Sequence, residues 1–146
     1  MRLKDVMEKE VEAVGPDTLL REAARKMRAC GVPMLPVCDG PTMVGVLTAR
    51  DITVRATAQG CDPRIARVRD VMMAPTIFGQ EDQNVGEAVD LMERQSLHRL
   101  PVLDRLMHLV GIVSLRDLCG NLAGPMARRL PAHRRTRIPK MRLSRK

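Results

Sequence analysis

Apolar and polar positions along this chain follow two spacings, one typical of helices and one typical of strands. Helical spacing is clearest between residues 18 and 27, where the apolar positions are Leu20, Ala23, Ala24 and Met27. Asp17-Thr18 is a start signal for this helix and Gly31 a stop signal. Apolar runs follow at 34–38 and 43–47, with turn residues between them. The pattern predicts a helix, two strands joined like a hairpin, and a second helix over 49–59.

The same order of elements occurs twice, because the sequence repeats at a shift of 65 residues that becomes 66 after a turn. Asp5-Val6-Met7 returns as Asp70-Val71-Met72, and Leu35-Pro36-Val37 returns as Leu100-Pro101-Val102. In the second copy the spacing predicts a helix over 85–94, strands over 99–103 and 109–113, and a helix from Leu115 onward. Two copies of one supersecondary unit therefore account for most of the chain.

Two further features refine the unit. Pro36 stands inside the first apolar run, and proline cannot donate to a strand ladder, so we expect a bulge or an edge position there. Short apolar segments at 11–14 and 76–78 predict a leading strand ahead of each first helix. The fold class is then α/β (α+β), with a small mixed sheet and two helices in each unit. A unit of about 60 residues is marginal alone, so we expect the two to pack sheet to sheet around a shared core.

The predicted domains are unit 1 over 1–60, unit 2 over 61–124, and a basic tail over 125–146. The tail dominates the charge, since residues 127–146 hold nine of the 25 bases and no acid. The remaining 16 bases face 17 acids, so residues 1–126 have a net charge of −1 while the chain has +8. We expect the tail to be a solvated, flexible extension. A nucleic-acid-binding arm is the alternative interpretation.

Composition narrows the class of protein further. The core must be aliphatic and rich in methionine, because Phe78 is the single aromatic residue among 146. No apolar run approaches the roughly 20 residues that a membrane span needs, and the start lacks the apolar region of a signal peptide. We therefore expect a soluble, cytoplasmic protein that does not contact membranes. The four cysteines form no CxxC pair, so we expect them to be buried and reduced; a zinc site between chains is the alternative.

No motif of an enzyme is present: the sequence has no Walker loop, no GxSxG, no HExxH and no carboxylate pair at a catalytic spacing. The three histidines, His98, His108 and His133, lie in different settings. We therefore expect a protein without catalytic residues, without a resident metal and without a required cofactor.

One motif stands at the same place in both copies. Gly45-Val46-Leu47-Thr48-Ala49-Arg50-Asp51 and Gly111-Ile112-Val113-Ser114-Leu115-Arg116-Asp117 both read glycine, apolar, any residue, Ser or Thr, any two, Asp. In this pair of motifs the chain resembles a tandem of CBS domains, named after cystathionine β-synthase, over about residues 4–122. The Gly60-Cys61-Asp62-Pro63 link is similar to that of short, stand-alone bacterial CBS pairs of the hypoxic-response and signal-transduction type.

The resemblance implies a pseudo-twofold pair of units, known as a Bateman module. It also implies clefts between the units that bind AMP, ADP, ATP or S-adenosylmethionine, and pairing into a disc-shaped homodimer. Helix faces that carry apolar residues on both second helices favour the same dimer. The members of these faces are Ile52, Val54, Ala56, Leu115, Leu118 and Leu122.

The motif itself has two interpretations. Thr48 and Ser114 stand at a strand-to-helix junction, where backbone N–H groups favour an anion, and their hydroxyls can bind a phosphate. Asp51 or Asp117 can accept bonds from both hydroxyls of a ribose, with Arg50 or Arg116 facing the phosphates. Ser/Thr-x-x-Asp is also a capping box, in which the two side chains satisfy N–H groups of their own helix.

The two copies differ ahead of the second strand. His98 and Arg99 precede Leu100-Pro101-Val102, whereas Pro33 and Met34 precede the first Leu-Pro-Val. The His-Arg-Leu-Pro-Val string is similar to one in the nucleotide-sensing gamma subunit of AMP-activated protein kinase, which implies that His98 and Arg99 contact phosphate. A surface position at the strand entrance is the other interpretation. Phe78 either stacks on a base or belongs to the core.

The function that these observations favour is a non-catalytic sensor of an adenine nucleotide or S-adenosylmethionine, which acts through an unidentified effector protein. The candidate ligand-binding residues are Thr48, Arg50, Asp51, His98, Arg99, Ser114, Arg116 and Asp117. The alternative is a nucleic-acid-binding protein that uses residues 127–146, with the paired units as a dimerisation scaffold.

Overall fold

The computed structural model describes residues 1–74 and 77–121. The elements of the first copy are α1 (Leu3–Val6), α2 (Leu20–Cys30), β1 (Met34–Asp39), β2 (Thr42–Thr48) and α3 (Ala49–Asp51), which continues as a π-helix (Ile52–Thr57). Those of the second copy are α4 (Val68–Val71), β3 (Gly79–Gln80), α5 (Val85–Arg94), β4 (Arg99–Leu103), β5 (Leu109–Ser114) and α6 (Leu115–Asn121). The predicted mixed α/β fold, with the same order of elements in each copy, is confirmed.

The two long helices lie where the apolar spacing predicted them. α2 ends at Gly31, whose φ of 66° is the left-handed conformation that glycine adopts without steric cost. Thr18 does not cap this helix: its hydroxyl accepts the N–H of Gly15 at 3.2 Å, and Leu19 holds the capping position. α5 has the predicted bounds, and the Asn84 side chain caps it by accepting the N–H of Gly86 at 2.8 Å.

The predicted helix over 49–59 changes its winding after its first turn. Ala58 N–H donates to the Thr53 carbonyl at 3.0 Å, five residues back, as in a π-helix. The Thr53 hydroxyl donates to the Ala49 carbonyl, also at 3.0 Å. In an α-helix the Thr53 N–H would donate to the Ala49 carbonyl. The Thr53 hydroxyl competes for this acceptor and so favours the wider π-helical turn.

The predicted leading strands are wrong in position. In unit 1 only Val14 of segment 11–14 pairs, in a parallel bridge with Val37. In unit 2 the strand is Gly79–Gln80, parallel to β4, rather than 76–78, of which Thr76 lies outside the described residues. The apolar pattern did not predict the strand position, because the strand lies where the backbone packs closely against Leu3. A Cβ at Gly79 would lie 2.6 Å from Leu3 Cδ1, so only glycine fits there.

The bulge predicted at Pro36 is present one residue further on. β1 pairs antiparallel with β2, and the register shifts between Val37 and Cys38. The Pro36 carbonyl accepts the N–H of Val14 at 3.0 Å, so the residue still contributes an acceptor to the ladder. The pairing of β4 with β5 has the corresponding shift, between Val102 and Leu103.

Isolated bridges between the copies reveal their symmetry. Glu8 pairs with Ile112, and Met73 pairs with Val46. Met73 is the counterpart of Glu8 in the repeat, and Val46 is the counterpart of Ile112, so each unit makes the same bridge to the other. A third bridge joins Thr42 to His108, which are counterparts of each other. An antiparallel bridge between counterparts marks a twofold axis, so the two units are related by a pseudo-twofold that passes between Thr42 and His108.

The first helix of each unit packs against the other unit. Leu3 of α1 is fully buried in the cluster of α5, β4, β5 and α6. Val68 and Val71 of α4 are buried in the cluster of α2, β1 and β2. The described residues thus form two apolar clusters with exchanged segments, rather than the one shared core that the sequence predicted. The domain boundary at residue 60 stays a prediction.

The short helices α1 and α4 were missed from the sequence, although their repeated Asp-Val-Met was visible. Asp5 accepts the backbone N–H of Arg2 at 3.0 Å, and Asp70 accepts that of Arg67 at 2.8 Å. Each carboxylate fixes the first turn of its helix by satisfying an N–H that otherwise lacks a partner.

The helix faces predicted to cover a dimer interface are mostly internal. Leu115 and Leu118 are buried in the cluster of α5, β4, β5 and α6. Ala56 is buried in the cluster of α2, β1 and β2. Val54 is half exposed, and Leu122 lies outside the described residues. The apolar patch on which the dimer prediction rested is therefore not present in the described part of the chain. The homodimer itself stays a prediction.

The expectation of four buried cysteines is also wrong. Cys30 and Cys61 are exposed, Cys38 is half-buried, and Cys119 is buried. Burial raises the pKa of the Cys38 thiol, and it raises the pKa of the Cys119 thiol with a smaller effect from Glu93. Both thiols are thereby poorer nucleophiles than exposed ones.

Candidate functional site

Strand register divides the predicted site residues into two groups. In unit 1, Thr48 pairs with Met34 at the open end of the hairpin, and Ala49 N–H donates to the Pro33 carbonyl at 2.8 Å. In unit 2, Ser114 pairs with Arg99. The groups that these pairings define are Thr48, Arg50 and Asp51 in one unit, and His98, Arg99, Ser114, Arg116 and Asp117 in the other.

A backbone bond also ties His98 to the second group. Leu115 N–H donates to the His98 carbonyl at 2.9 Å, which fixes the strand entrance against the start of α6. His98 is exposed and Arg99 is half-buried. His98 and Arg99 therefore lie beside the Ser114 motif, whereas Pro33 and Met34 hold the corresponding places beside Thr48.

In unit 1 the motif forms a complete capping box. Asp51 N–H donates to Thr48 Oγ1 at 3.0 Å, and Thr48 N–H donates to Asp51 Oδ2 at 3.0 Å. Asp51 is 9% exposed, so this carboxylate is largely removed from solvent. The capping interpretation is confirmed for this copy, and one carboxylate oxygen of Asp51 is already engaged by its own helix.

In unit 2 the corresponding residues, Ser114 and Asp117, form half of the box. Asp117 N–H donates to Ser114 Oγ at 3.1 Å, but the Asp117 carboxylate accepts no hydrogen bond from another described residue. Asp117 is exposed, and so is Arg116. A solvent-facing carboxylate one turn from a hydroxyl has its acceptor capacity available for a ligand.

The motif glycines have a packing role. A Cβ at Gly45 would lie 2.9 Å from both Met72 Sδ and the Met73 carbonyl oxygen. At Gly111 a Cβ would collide with Met7 Sδ and lie 3.0 Å from the Glu8 carbonyl oxygen. Glycine is thus needed because the segment exchanged from the other unit passes directly over the strand.

Phe78 is half-buried and belongs to neither apolar cluster of the described residues, so the structure does not support the core interpretation. The reason is positional: Phe78 precedes the short strand β3, where Gly79 packs against Leu3 and takes the buried place. Ala13, its counterpart, borders an open groove of about 470 Å³ between the leading segment and α2. None of the eight predicted site residues lines that groove.

Two kinds of site find no support in the described residues. No group of three or more His, Cys, Asp or Glu side chains there is arranged to hold a metal ion. No helix in residues 1–74 and 77–121 is long and apolar enough to cross a membrane.

Comparison with known proteins identifies the family. The CBS domain matches twice, over residues 3–56 and 68–124, and so covers both copies of the repeat. The chain belongs to the CBS domain family. The CBS domain-containing protein YhcV of Bacillus subtilis is 38% identical over 119 residues, which are 82% of this chain and 84% of YhcV. The chain spans only 59% and 24% of two longer relatives that it also matches.

Solved structures of CBS pairs have the same fold. The crystal structure of hypoxic response protein I with two coordinated zinc ions has a TM-score of 0.72 and 31% identity, covering 90% of this chain and all of that one. The CBS domain pair of protein MJ0100, in complex with 5'-methylthioadenosine and S-adenosylmethionine, has a TM-score of 0.70 and 25% identity. That alignment covers 83% of this chain and 94% of the MJ0100 chain.

Proposed function

We propose that this CBS pair is a non-catalytic regulatory module that binds an adenine nucleotide (AMP, ADP or ATP) or S-adenosylmethionine. We propose further that the principal site is formed by Ser114, Asp117 and the residues beside them in unit 2. The observation that carries this proposal is the difference between the two motifs. Asp51 is buried in a closed capping box, whereas Asp117 is exposed with its carboxylate unengaged by described residues.

The chemistry of the second group suits a phosphorylated adenosine. The Asp117 carboxylate accepts hydrogen bonds, so it can hold both hydroxyls of a ribose. Ser114 and the amides at the start of α6 offer donors, and Arg99 and Arg116 supply positive charge for a phosphate. His98 lies at the same strand entrance.

Relatives support the class of ligand. The structure of the MJ0100 pair contains two adenosine derivatives, and that pair shares the fold of this chain over most of its length. Because CBS pairs are generally regulatory, we propose that occupancy of the site changes an interaction with an effector protein. A cytoplasmic location belongs to the same proposal, since these ligands are abundant there.

Isothermal titration calorimetry of the full chain with AMP, ADP, ATP and S-adenosylmethionine tests the proposal. We expect at least one ligand to bind, and Asp117→Asn to weaken it by about 1–3 kcal/mol, as for the loss of bonds to a charged group. Asp51→Asn is expected to have a smaller effect on affinity. Asp39→Asn, at an exposed aspartate that ends β1, is the matched control. No binding by any of the four, or equal affinity of the Asp117 variant and the parent, contradicts the proposal.

A second candidate function rests on the charge of residues 127–146, which lie outside the described residues. Nine bases without an acid would neutralise several phosphates of a nucleic acid without reading its sequence. DNA binding by the full chain that weakens steeply with salt, and that is lost when 127–146 are deleted, would support this role. Binding that survives the deletion would contradict it.

A further inference from the structure

Two methionines at counterpart positions of the repeat lie against the glycines of the two motifs. Met7 packs over Gly111, where a Cβ would lie 2.7 Å from the Met7 Cγ. Met72 packs over Gly45, where a Cβ would lie 2.9 Å from the Met72 Sδ. Both side chains are half-buried, and each packs against the apolar cluster of the other unit. One thioether therefore lies at each of the two contacts between a first segment and a motif strand.

The backbone beside each thioether is already paired. Next to the first, Glu8 and Ile112 exchange two hydrogen bonds, each of 2.9 Å. Next to the second, Met73 N–H donates to the Val46 carbonyl at 3.0 Å, and Val46 N–H donates to the Met73 carbonyl at 2.8 Å. These four amides are engaged in joining the units, so they offer no donor to a new polar group on either sulfur.

We propose that Met7 and Met72 are oxidation sites, and that conversion of either thioether to the sulfoxide weakens the contact between the two units. The oxidant is hydrogen peroxide. The sulfur lone pair attacks one peroxide oxygen, an S–O bond forms as the O–O bond breaks, and the other oxygen leaves as water with the proton of the first. The sulfur loses two electrons and the peroxide gains them.

The sulfoxide does not fit the place that the thioether fills. Its oxygen is a polar acceptor, and burial of such a group without a donor costs free energy. If the oxygen points inward, it meets the motif strand, where the bridging amides are engaged. If it points to water, the side chain must leave the apolar cluster against which it packs. Either orientation weakens the packing of a first segment on the other unit.

The other described methionines lack this combination of solvent access and packing. Three are buried, so that the folded chain shields their sulfurs: Met27, Met43 and Met92. Four are half-buried or exposed and belong to neither apolar cluster: Met1, Met34, Met73 and Met107. A sulfoxide at one of these four adds a polar atom where no cluster packing is lost.

Thermal unfolding of the full chain after treatment with hydrogen peroxide tests the proposal. The parent is expected to lose about 4 °C or more in melting temperature. The loss should follow the sulfoxide content of Met7 and Met72, measured by tandem mass spectrometry of their peptides. Met7→Leu with Met72→Leu removes both sulfurs and is expected to keep its melting temperature after the same treatment. Methionine sulfoxide reductase should restore the parent, and dithiothreitol should not.

Two controls isolate the role of these sulfurs. Met1→Leu with Met73→Leu removes two exposed sulfurs and should lose as much stability on oxidation as the parent does. Leucine is branched and the space over both glycines is tight, so a chain with norleucine at every methionine is the second test. Norleucine keeps the unbranched shape without sulfur, and this chain should not respond to peroxide.

The outcomes that overturn the proposal need no bound ligand, so they are independent of the proposed nucleotide site. One is a parent whose melting temperature stays constant once both sulfoxides have formed. Another is the absence of sulfoxide at Met7 and Met72 while Met1 is oxidised. A norleucine chain that loses stability as the parent does, or recovery of the parent with dithiothreitol alone, assigns the effect to the exposed thiols of Cys30 and Cys61 and overturns it as well.

Discussion

The two motif aspartates offer a matched pair of substitutions, Asp51→Ala and Asp117→Ala, whose effects on stability should differ. Both variants keep the backbone N–H that donates to Thr48 Oγ1 or to Ser114 Oγ, so the hydroxyl half of each cap survives. Only Asp51 also accepts an N–H, that of Thr48 at 3.0 Å, and only Asp51 is buried. The pair therefore isolates the reciprocal half of the capping box.

The expected magnitude follows from those contacts. Removal of the Asp51 carboxylate leaves the Thr48 N–H without its acceptor in a part-buried place, which costs about 1–3 kcal/mol. Loss of a cap typically costs about 1 kcal/mol, in the same range. We therefore expect Asp51→Ala to lower the free energy of unfolding by about 2 kcal/mol, or about 4–8 °C in melting temperature. Asp117→Ala, on an exposed side chain, should change it by about 0.5 kcal/mol or less.

Urea unfolding followed by circular dichroism measures both variants against the parent. The slope of the free energy with urea should stay constant, so that a shift in midpoint reports stability. Equal losses in the two variants, or a larger loss for Asp117→Ala, would refute the distinction between a closed and an open motif. If Asp117→Ala keeps the stability of the parent but loses ligand affinity, the unit 1 motif stabilises the fold and the unit 2 motif binds the ligand.

Three more outcomes are expected. Gly111→Ala should destabilise the fold by about 1–3 kcal/mol, because the new Cβ meets Met7 and the Glu8 carbonyl. Gly120→Ala is the control, since a Cβ there has no described neighbour within 4 Å. Equal urea midpoints for the two variants would contradict the reasoning. Removal of residues 127–146 should leave the melting temperature nearly unchanged, because that segment lacks apolar periodicity; a large drop in a thermal scan would show that it packs on the module. Hydrogen bonds from the backbone N–H groups of His108 and Leu106 lower the pKa of Asp104 below its ordinary 3.8, so this carboxylate stabilises the fold above that pH and the contribution is lost as pH falls through the folded pKa. An acid-unfolding curve for Asp104→Asn should therefore lose part of that dependence below about pH 4, and a curve parallel to the parent's would speak against it.

The long elements of the fold were predictable because they rest on local apolar spacing. α5 was placed to the residue, since Val85, Ala88, Val89 and Met92 make an uninterrupted buried stripe. The exchanged segments were not predictable in this way. α1 and α4 are four residues long, and Leu3 and Val68 find their places only against the other unit, which no local pattern indicates.

The candidate site shows the same division between local and nonlocal information. The repeated motif and the His98-Arg99 asymmetry could be read from the sequence, and strand register then set Arg99 opposite Ser114. The sequence did not distinguish Asp51 from Asp117, because the same Ser/Thr-x-x-Asp pattern adopts a closed box in one copy and an open one in the other. The dimer surface was mistaken for a related reason: an apolar stripe does not show which side of a helix the core occupies.

The central claim is that the module binds an adenine-containing ligand at the unit 2 motif. Two-dimensional NMR of the isotope-labelled full chain, titrated with AMP, tests it most directly. The account predicts saturable shifts of the backbone amides of Arg99, Ser114, Arg116 and Asp117, with much smaller shifts at Thr48 and Asp51. No shift with millimolar AMP, ADP, ATP or S-adenosylmethionine, each titrated in turn, or shifts confined to the basic residues of α2, would contradict it.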